Sequence, residues 1–234
     1  MAQEHLSRRY DQDLEGIRSR VLQMGGLVEV QFHDAMTSLH EGTLELAEKV
    51  IQRDVEVNQL DVALDHICTQ LIVRRQPAAN DLRTVMATTK IVTDLERIGD
   101  EATKIARSAK NLQNRNVVIM NHYQTIRSIA ETASGMLHDA LDAFARLDRE
   151  LAIRLIGRDV LIDREFSAMM LNLIDYMTQE PLTISASLDL LWIAKSIERI
   201  GDHATNVAEQ VIYIVEGKDI RHTDYATVKT ESEK

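Results

Sequence analysis

The chain contains one sequence unit twice, and this duplication limits the folds that it can adopt. Residues 32–39 match residues 137–144, an offset of 105, through a shared His-Asp-Ala core. Further along, residues 95–100 recur almost letter for letter as residues 197–202, an offset of 102, with Glu-Arg-Ile-Gly-Asp in both copies. Because the matched segments keep the same order, the chain is predicted to fold as two similar units in tandem.

The apolar residues within each copy follow the spacing of an α-helix. One buried stripe, with intervals of three and four residues, runs through Ile91, Leu95, Ile98, Ala102 and Ile105. Only 2 prolines and 9 glycines interrupt the 234 residues, and aromatic residues make up 4%. These features favour long helices over the short strands and frequent turns of a β-rich fold. An all-α fold is therefore predicted.

The helix breaks define three helices in each copy. Gly42, Pro77 and Pro181 lie between the helical patterns, and the polar run 111–116 separates the copies. The predicted architecture is two tandem, similar three-helix bundles. Their bounds are 1–114 for the first bundle and 115–216 for the second, and a flexible C-terminal tail is predicted for 217–234 because few apolar residues occur there.

Charge and cysteine content narrow the range of partners and compartments. The formal net charge of -10 opposes broad attraction to nucleic acids or to anionic membranes. The sequence starts without a basic, apolar leader, and no stretch approaches the roughly 20 apolar residues of a membrane span. The single cysteine, Cys68, cannot form an internal disulfide and fits a reducing compartment. We therefore expect an unexported, cytoplasmic protein with a buried, non-catalytic thiol.

The repeated Glu-x-x-x-Asp motif pairs two carboxylates on one helix face in each copy. Glu96 pairs with Asp100, and Glu198 pairs with Asp202, because residues four apart lie on the same side of a helix. At about 100° per residue, both carboxylates of the first pair lie just beside the buried stripe. Like charges at this spacing destabilise a helix, so a bound cation would explain why both copies have such a pair.

The middle helix of each copy supplies a second row of carboxylates. Asp54 and Asp61 belong to the first copy, and Asp159 and Asp163 belong to the second. If the middle and last helices are antiparallel neighbours, the two acidic rows form one oxygen-rich site per copy. Oxygen ligands of this kind suit Mg²⁺, Mn²⁺, Ca²⁺ or iron.

A simpler interpretation is that the acidic residues only solvate the edge of each bundle or pair with nearby arginines. The arginines in question are Arg53, Arg97, Arg158 and Arg199. Nucleophile motifs, glycine-rich phosphate loops and Cys/His metal clusters are absent from the sequence. Glu-x-x-His, which a ferritin-like di-iron site requires, is absent as well. The sequence therefore does not predict an enzyme.

The chain resembles the PhoU family of phosphate-specific transport regulators. The resemblance rests on residues 94–100, with Asp-Leu-Glu-Arg-Ile-Gly-Asp, on residues 198–209, and on shorter matches at 81–83 and 217–222. It covers nearly the whole chain. It implies two three-helix bundles with metal clusters on the acidic motifs, and often a homodimer.

The resemblance also implies a function and a set of partners. The expected role is a non-enzymatic negative regulator of the phosphate-starvation response, a signalling adaptor between the phosphate ABC transporter, through its ATPase subunit, and a phosphate sensor histidine kinase. Membrane association would then occur only through these partners. The implied metal ions are Mg, Mn, Fe or Zn. The ligands carried over from the motif are Glu96, Asp100, Glu198 and Asp202, with supporting candidates Asp54, Asp61, Asp159 and Asp163.

Two alternatives compete with the metal-binding adaptor. The first is a metal-free helical scaffold that binds its partners through its surface, and the second is a metal-dependent hydrolase that uses the same carboxylates. The two copies also differ in their supporting residues. At the offset of 105, Asn58 aligns with Asp163 and Asp61 aligns with Phe166. We therefore expect the two sites to differ in occupancy.

Overall fold

A computed structural model describes residues 2–114, 120–221 and 223 of the chain. Within these residues every regular element is helical, which confirms the predicted all-α fold. The first half contains α1 (Ala2–Glu41), α2 (Leu44–Arg75) and α3 (Ala79–Asn114). Helix α1 ends at Gly42, which has the left-handed φ of 67° that glycine adopts without strain. The predicted three helices of the first copy are thus confirmed.

The second half repeats this arrangement with one interruption. It contains α4 (Met120–Arg146), α5 (Arg149–Ile156), α6 (Asp159–Gln179), a 3₁₀ turn (Pro181–Thr183) and α7 (Ile184–Glu216). The predicted middle helix of this copy is interrupted and forms α5 and α6 in succession. Gly157, which aligns with Gln52 of α2, lies at the break, where the Arg158 N–H bonds to Leu155 O at 2.8 Å in a tighter turn.

Apolar side chains from both halves form one continuous core. All five residues of the predicted α3 stripe are fully buried, as are their counterparts on α7 around Ile197 and Ile200. Burial of each Leu or Ile contributes about 1.5–3 kcal/mol. The proposed boundary at 114/115 adjoins residues 115–119, which lie outside the described residues. The division into two domains therefore stays a prediction.

Helices α3 and α7 lie side by side and antiparallel at the junction of the two halves. Arg83 near the start of α3 donates to Ile214 O near the end of α7, at 3.1 Å. At the other end, Asn111 Nδ2 lies 3.4 Å from Asp189 Oδ1. This arrangement places the Glu-x-x-x-Asp motifs of the two copies near the middle of the junction.

The C-terminal end of the described chain packs against this junction. Helix α7 ends at Gly217, which has a left-handed φ of 76°, and Ile220 beyond it is buried. The predicted flexible tail of 217–234 therefore begins with an ordered stretch, while residue 222 and residues 224–234 lie outside the described residues. None of the helices in the described part of the chain combines the length and apolar character of a bilayer span.

Candidate metal centre

A glycine in each acidic motif brings the middle helix close to the last helix. A Cβ at Gly201 would lie 2.8 Å from Ile162 Cδ1 and 3.6 Å from Asp159 Oδ1, both on α6. A Cβ at Gly99 would lie 3.3 Å from Val57 Cγ1 and 3.6 Å from Asp54 Oδ1, both on α2. The absence of a side chain at these two positions lets the two acidic rows of each copy meet.

Three carboxylates of the second half converge on one point. One oxygen from each of Asp163, Glu198 and Asp202 lies within 4.8 Å of the other two. Asp163 is exposed, Asp202 is half-buried and Glu198 is buried. The i, i+4 spacing on α7 aligns the last two, and the start of α6 supplies the first. The group is thus open to solvent on one side and closed by the core on the other.

Asp159 lies beside this cluster, one helical turn before Asp163. Burial, and after it the neighbouring carboxylates of Asp202, Asp163 and Glu198, together raise the pKa of Asp159 to about 6, while the nearby Thr205 hydroxyl acts in the opposite direction. The pKa of Asp202 is also raised, first by burial and then by Glu198 and Asp163. The site therefore concentrates negative charge where water cannot fully solvate it.

Glu198 is only partly neutralised by its surroundings. Its Oε1 accepts a hydrogen bond from Lys195 Nζ at 2.6 Å, and the Lys195 ammonium lies 5.3 Å from the centre of the Phe166 ring. Its Oε2 is buried without a hydrogen-bond partner. Only 8% of Glu198 is exposed. An unpaired buried carboxylate oxygen is costly, and a cation beside it would remove that cost.

The first half has the corresponding acidic residues in a looser arrangement. Burial raises the pKa of Glu96, and the carboxylates of Asp100, Asp61 and Asp54 add to this effect. Burial and the nearby Asp65 carboxylate raise the pKa of Asp61. Within the described residues, however, no three carboxylates of this half approach one another as closely as those of the second. The predicted site residues of each copy are thus neighbours, but only the second copy forms a tight cluster.

A buried glutamine that the sequence analysis missed occupies the first-half site. Gln31 of α1 is fully buried, and its Nε2 lies 3.2 Å from Asp54 Oδ1 and 3.1 Å from Thr103 Oγ1. The carbonyl oxygens of Gly99 and Val50 lie slightly further away, at 3.4 and 3.5 Å. Its position on the buried face of α1, between Val28 and Phe32, is the sequence signal that could have identified it.

In the simpler interpretation the acidic residues pair with nearby arginines, but among the described residues three of these four arginines bind other carboxylates. Arg53 binds Asp34 at 2.9 Å, and its counterpart Arg158 binds Asp139 at 2.6 Å, so both join the middle helix to the first helix of their copy. Arg199 lies 3.3 Å from Glu101, outside the motif. The arginine closest to the predicted role is Arg97, which lowers the pKa of Glu96 without outweighing burial.

His203, which follows Asp202 in the sequence, has a different partner. Its Nδ1 lies 2.8 Å from Asp94 Oδ1 on α3, and Asn206 Nδ2 donates to the same oxygen at 3.0 Å. Glu101, the equivalent residue of the first copy, binds Lys104 at 2.9 Å. His203 through Asp94, and Glu101 through Arg199 at 3.3 Å, therefore connect the two halves.

Comparison with known proteins gives one consistent family. The sequence profile of the PhoU domain matches the chain twice, at residues 21–109 and 126–211, which reproduces the internal repeat. A Pseudomonas putida protein named "Phosphate-specific transport system accessory protein PhoU homolog" is 46% identical over 93% of this chain and 85% of its own length. The Escherichia coli K12 protein named "Phosphate-specific transport system accessory protein PhoU" is 42% identical over 94% of this chain and 90% of its own length.

Two solved structures share the fold. The crystal structure of PhoU from Pseudomonas aeruginosa superposes with a TM-score of 0.87 at 43% identity, covering 89% of this chain and all of that one. The phosphate transport system regulatory protein PhoU from Streptococcus pneumoniae superposes with a TM-score of 0.83 at 27% identity, covering 90% of this chain and 98% of that one. These relatives are named as accessory or regulatory proteins and not as enzymes, in agreement with the prediction from the sequence.

Proposed function

This chain belongs to the PhoU family, and we propose that it is an accessory protein of phosphate-specific transport that regulates the response to phosphate supply. The observation that carries the proposal is the match of both repeats, over nearly the full length of each chain, to relatives that are named for this role. A match confined to one repeat would support only a shared fold. The match of both repeats extends the similarity over nearly the whole chain.

In this role the protein acts as a negative regulator and adaptor. It holds the phosphate-starvation response off when phosphate is plentiful by linking the phosphate ABC transporter, through its ATPase subunit, to a phosphate sensor histidine kinase. The net charge of -10, which favours basic protein surfaces as partners, suits an adaptor that contacts other proteins. We place this action in the cytoplasm, and we propose that the protein forms a homodimer there.

We further propose that the acidic cluster of the second half holds a metal ion. The ligands would be Asp163, Glu198 and Asp202, with Asp159 beside them. The chemistry of the residues fits a hard or intermediate cation, because all four donors are carboxylates and the buried Glu198 Oε2 has no other partner. A bound cation would supply positive charge that joins α6 to α7. Its role is structural or regulatory.

The regulatory role is tested by complementation. The gene for this chain is introduced into an Escherichia coli strain that lacks its own PhoU, and expression of phosphate-scavenging functions is measured in phosphate-rich medium. We expect repression to be restored to at least half of the level in the parent strain. A folded, expressed protein that leaves these functions fully active would contradict the proposal. A chain truncated after the first repeat, expressed in parallel, serves as the negative control.

The metal role is tested separately by elemental analysis of protein purified without chelators. We expect a metal in at least one site per chain, and a clear loss of it in Glu198→Gln. Glu56 is an exposed residue of α2, so the Glu56→Gln variant is the matched control, and we expect this variant to retain the metal. Metal at background level in the unmodified protein would instead favour the metal-free scaffold. Hydrolysis of phosphate esters that disappears in Glu198→Gln would favour the hydrolase.

A further inference from the structure

The two copies differ at the buried position of Gln31. At the offset of 105, Gln31 aligns with Met136 on α4, and both residues are fully buried. The glutamine amide donates to Asp54 and Thr103, the counterparts of Asp159 and Thr205 in the second half. A methionine thioether has no N–H to donate, so the second-half carboxylates receive nothing from α4 at this position.

The acidic ligand set differs between the copies as well. Asn58 is at the position of Asp163, and its amide Nδ2 lies 3.4 Å from Asp54 Oδ2. Both oxygens of Asp54 therefore accept hydrogen bonds from amide groups, at 3.2 Å from Gln31 and 3.4 Å from Asn58. In the second half, by contrast, Oδ1 of Asp159, the counterpart of Asp54, is buried and has no hydrogen-bond partner, and neither has Oε2 of Glu198.

We propose that the two halves differ in metal binding. The second half binds the metal ion, whereas in the first half the side-chain amide of Gln31 takes the place of a cation. This inference rests on the metal role proposed above and assigns it to one of the two sites. Amide N–H groups are neutral donors that stabilise a buried carboxylate at fixed positions. A cation approaching Asp54 would have to displace both of them. The first half is thus held together without metal.

The test uses two equivalent substitutions in the full-length protein. Protein treated with chelator and then dialysed is titrated with Mn²⁺ alone by isothermal titration calorimetry. We expect Glu198→Gln to weaken the tightest binding by a factor on the order of ten or more, since loss of one ligand removes a large part of the site's charge. Glu96→Gln, the same change at the equivalent position, should alter it by less than about twofold.

A conversion experiment tests the role of Gln31 directly. In the Glu198→Gln background, Gln31→Met together with Asn58→Asp gives the first half the second half's residues at these two positions. We expect Mn²⁺ binding to return, and to disappear again when Glu96→Gln is added. If Gln31→Met prevents folding, as judged by circular dichroism, Gln31→Glu replaces it, because it keeps the shape of the side chain and exchanges the donor for an acceptor.

The failures are distinguishable. If Glu96→Gln and Glu198→Gln weaken binding equally, the halves are equivalent and the asymmetry is wrong, while the metal role stands. If a converted protein that folds gains no binding, Gln31 and Asn58 do not control the first half and the inference is likewise overturned. If the unmodified protein binds no Mn²⁺ or other divalent ion, both the asymmetry and the metal role fail, and the regulatory role still rests on complementation.

Discussion

His203 Nδ1 of α7 lies 2.8 Å from Asp94 Oδ1 of α3, and this contact joins the two halves of the chain in their shared core. Both side chains are about nine-tenths buried. A second histidine, His138 of α4, makes a similar contact of 3.0 Å with Glu29 of α1, but its side chain is 73% exposed. The described part of the chain therefore has a buried and an exposed histidine–carboxylate pair between its halves.

The buried pair should contribute measurably to stability. We expect His203→Ala to lower the free energy of unfolding by about 1–3 kcal/mol, because the buried Asp94 carboxylate would lose one hydrogen-bond partner and keep Asn206 as its donor among the described residues. Urea unfolding followed by circular dichroism gives this quantity. His138→Ala is the matched control, and its effect should stay within about 0.5 kcal/mol because the pair is exposed. If the two substitutions lowered the free energy of unfolding equally, the buried His203–Asp94 pair would not stabilise the protein more than the exposed pair does.

Asp159 should make the metal-free protein less stable as the pH rises. Burial and the neighbouring carboxylates together raise its pKa in the folded protein to about 6, above the value of about 3.9 for an unfolded chain. The folded state then binds the proton more tightly, so its stabilising contribution is fully present below about pH 4 and is lost as the pH rises to about 6. We expect Tm in chelator to fall over this range.

The comparison that isolates this group is Asp159→Asn, which cannot ionise. The Tm of the variant should fall less between pH 4 and pH 6.5 than the Tm of the unmodified protein, and the difference between the two curves should level off above pH 6.5. Parallel curves would show that Asp159 titrates normally. Adding Mn²⁺ to the unmodified protein should reduce the fall in its Tm, since a cation favours the charged carboxylate.

The two motif glycines should respond differently to alanine. A Cβ at Gly201 would lie 2.8 Å from Ile162 Cδ1, whereas the nearest atoms to a Cβ at Gly99 are 3.3 Å away. We expect Gly201→Ala to destabilise the protein by about 1–3 kcal/mol through overpacking, reduced by the gain of about 1 kcal/mol in helix propensity. Gly99→Ala should be less harmful. Thermal unfolding measures both effects.

The control for these substitutions is Gly16→Ala on α1. A Cβ at Gly16 meets no atom within 4 Å, so alanine there should only add helix propensity and stabilise the protein by up to about 1 kcal/mol. If Gly201→Ala stabilises the protein as much as Gly16→Ala does, α6 is not held close to α7 as described.

The single cysteine should be unreactive in the folded protein. Burial, and after it the nearby Asp65 carboxylate, together raise the pKa of the Cys68 thiol from 9 to about 11. At pH 8 the thiolate is then about a hundredfold rarer than for a thiol of pKa 9. We expect alkylation to be slower by about this factor in native protein than in protein unfolded by guanidinium. Rapid native alkylation would show that α2 opens locally.

The periodicity of the sequence was sufficient to predict the helices. Stripes at three and four residues require one buried face, and the residues around Leu95 and Ile197 are buried as that requirement predicts. The repeat likewise located both acidic motifs, and Gly99 and Gly201 do admit the neighbouring helix. These are local properties of a helix, which depend on residues close together in the sequence. The break at Gly157 was missed because a single glycine is often tolerated within a helix.

What only the tertiary structure decided is which of these residues meet. The spacing of Asp163, Glu198 and Asp202 is the same whether or not α6 approaches α7, and their convergence follows from packing at Gly201. Gln31 of α1 contacts Gly99 of α3, which is 68 residues away in the chain, and no local sequence pattern connects the two residues. By itself, the sequence determined the helices, their repeat and their acidic faces. The structure decided that the amides of Gln31 and Asn58 lie against Asp54 in the first half and that Glu198 Oε2 has no partner in the second, because hydrogen bonds across helices depend on three-dimensional packing.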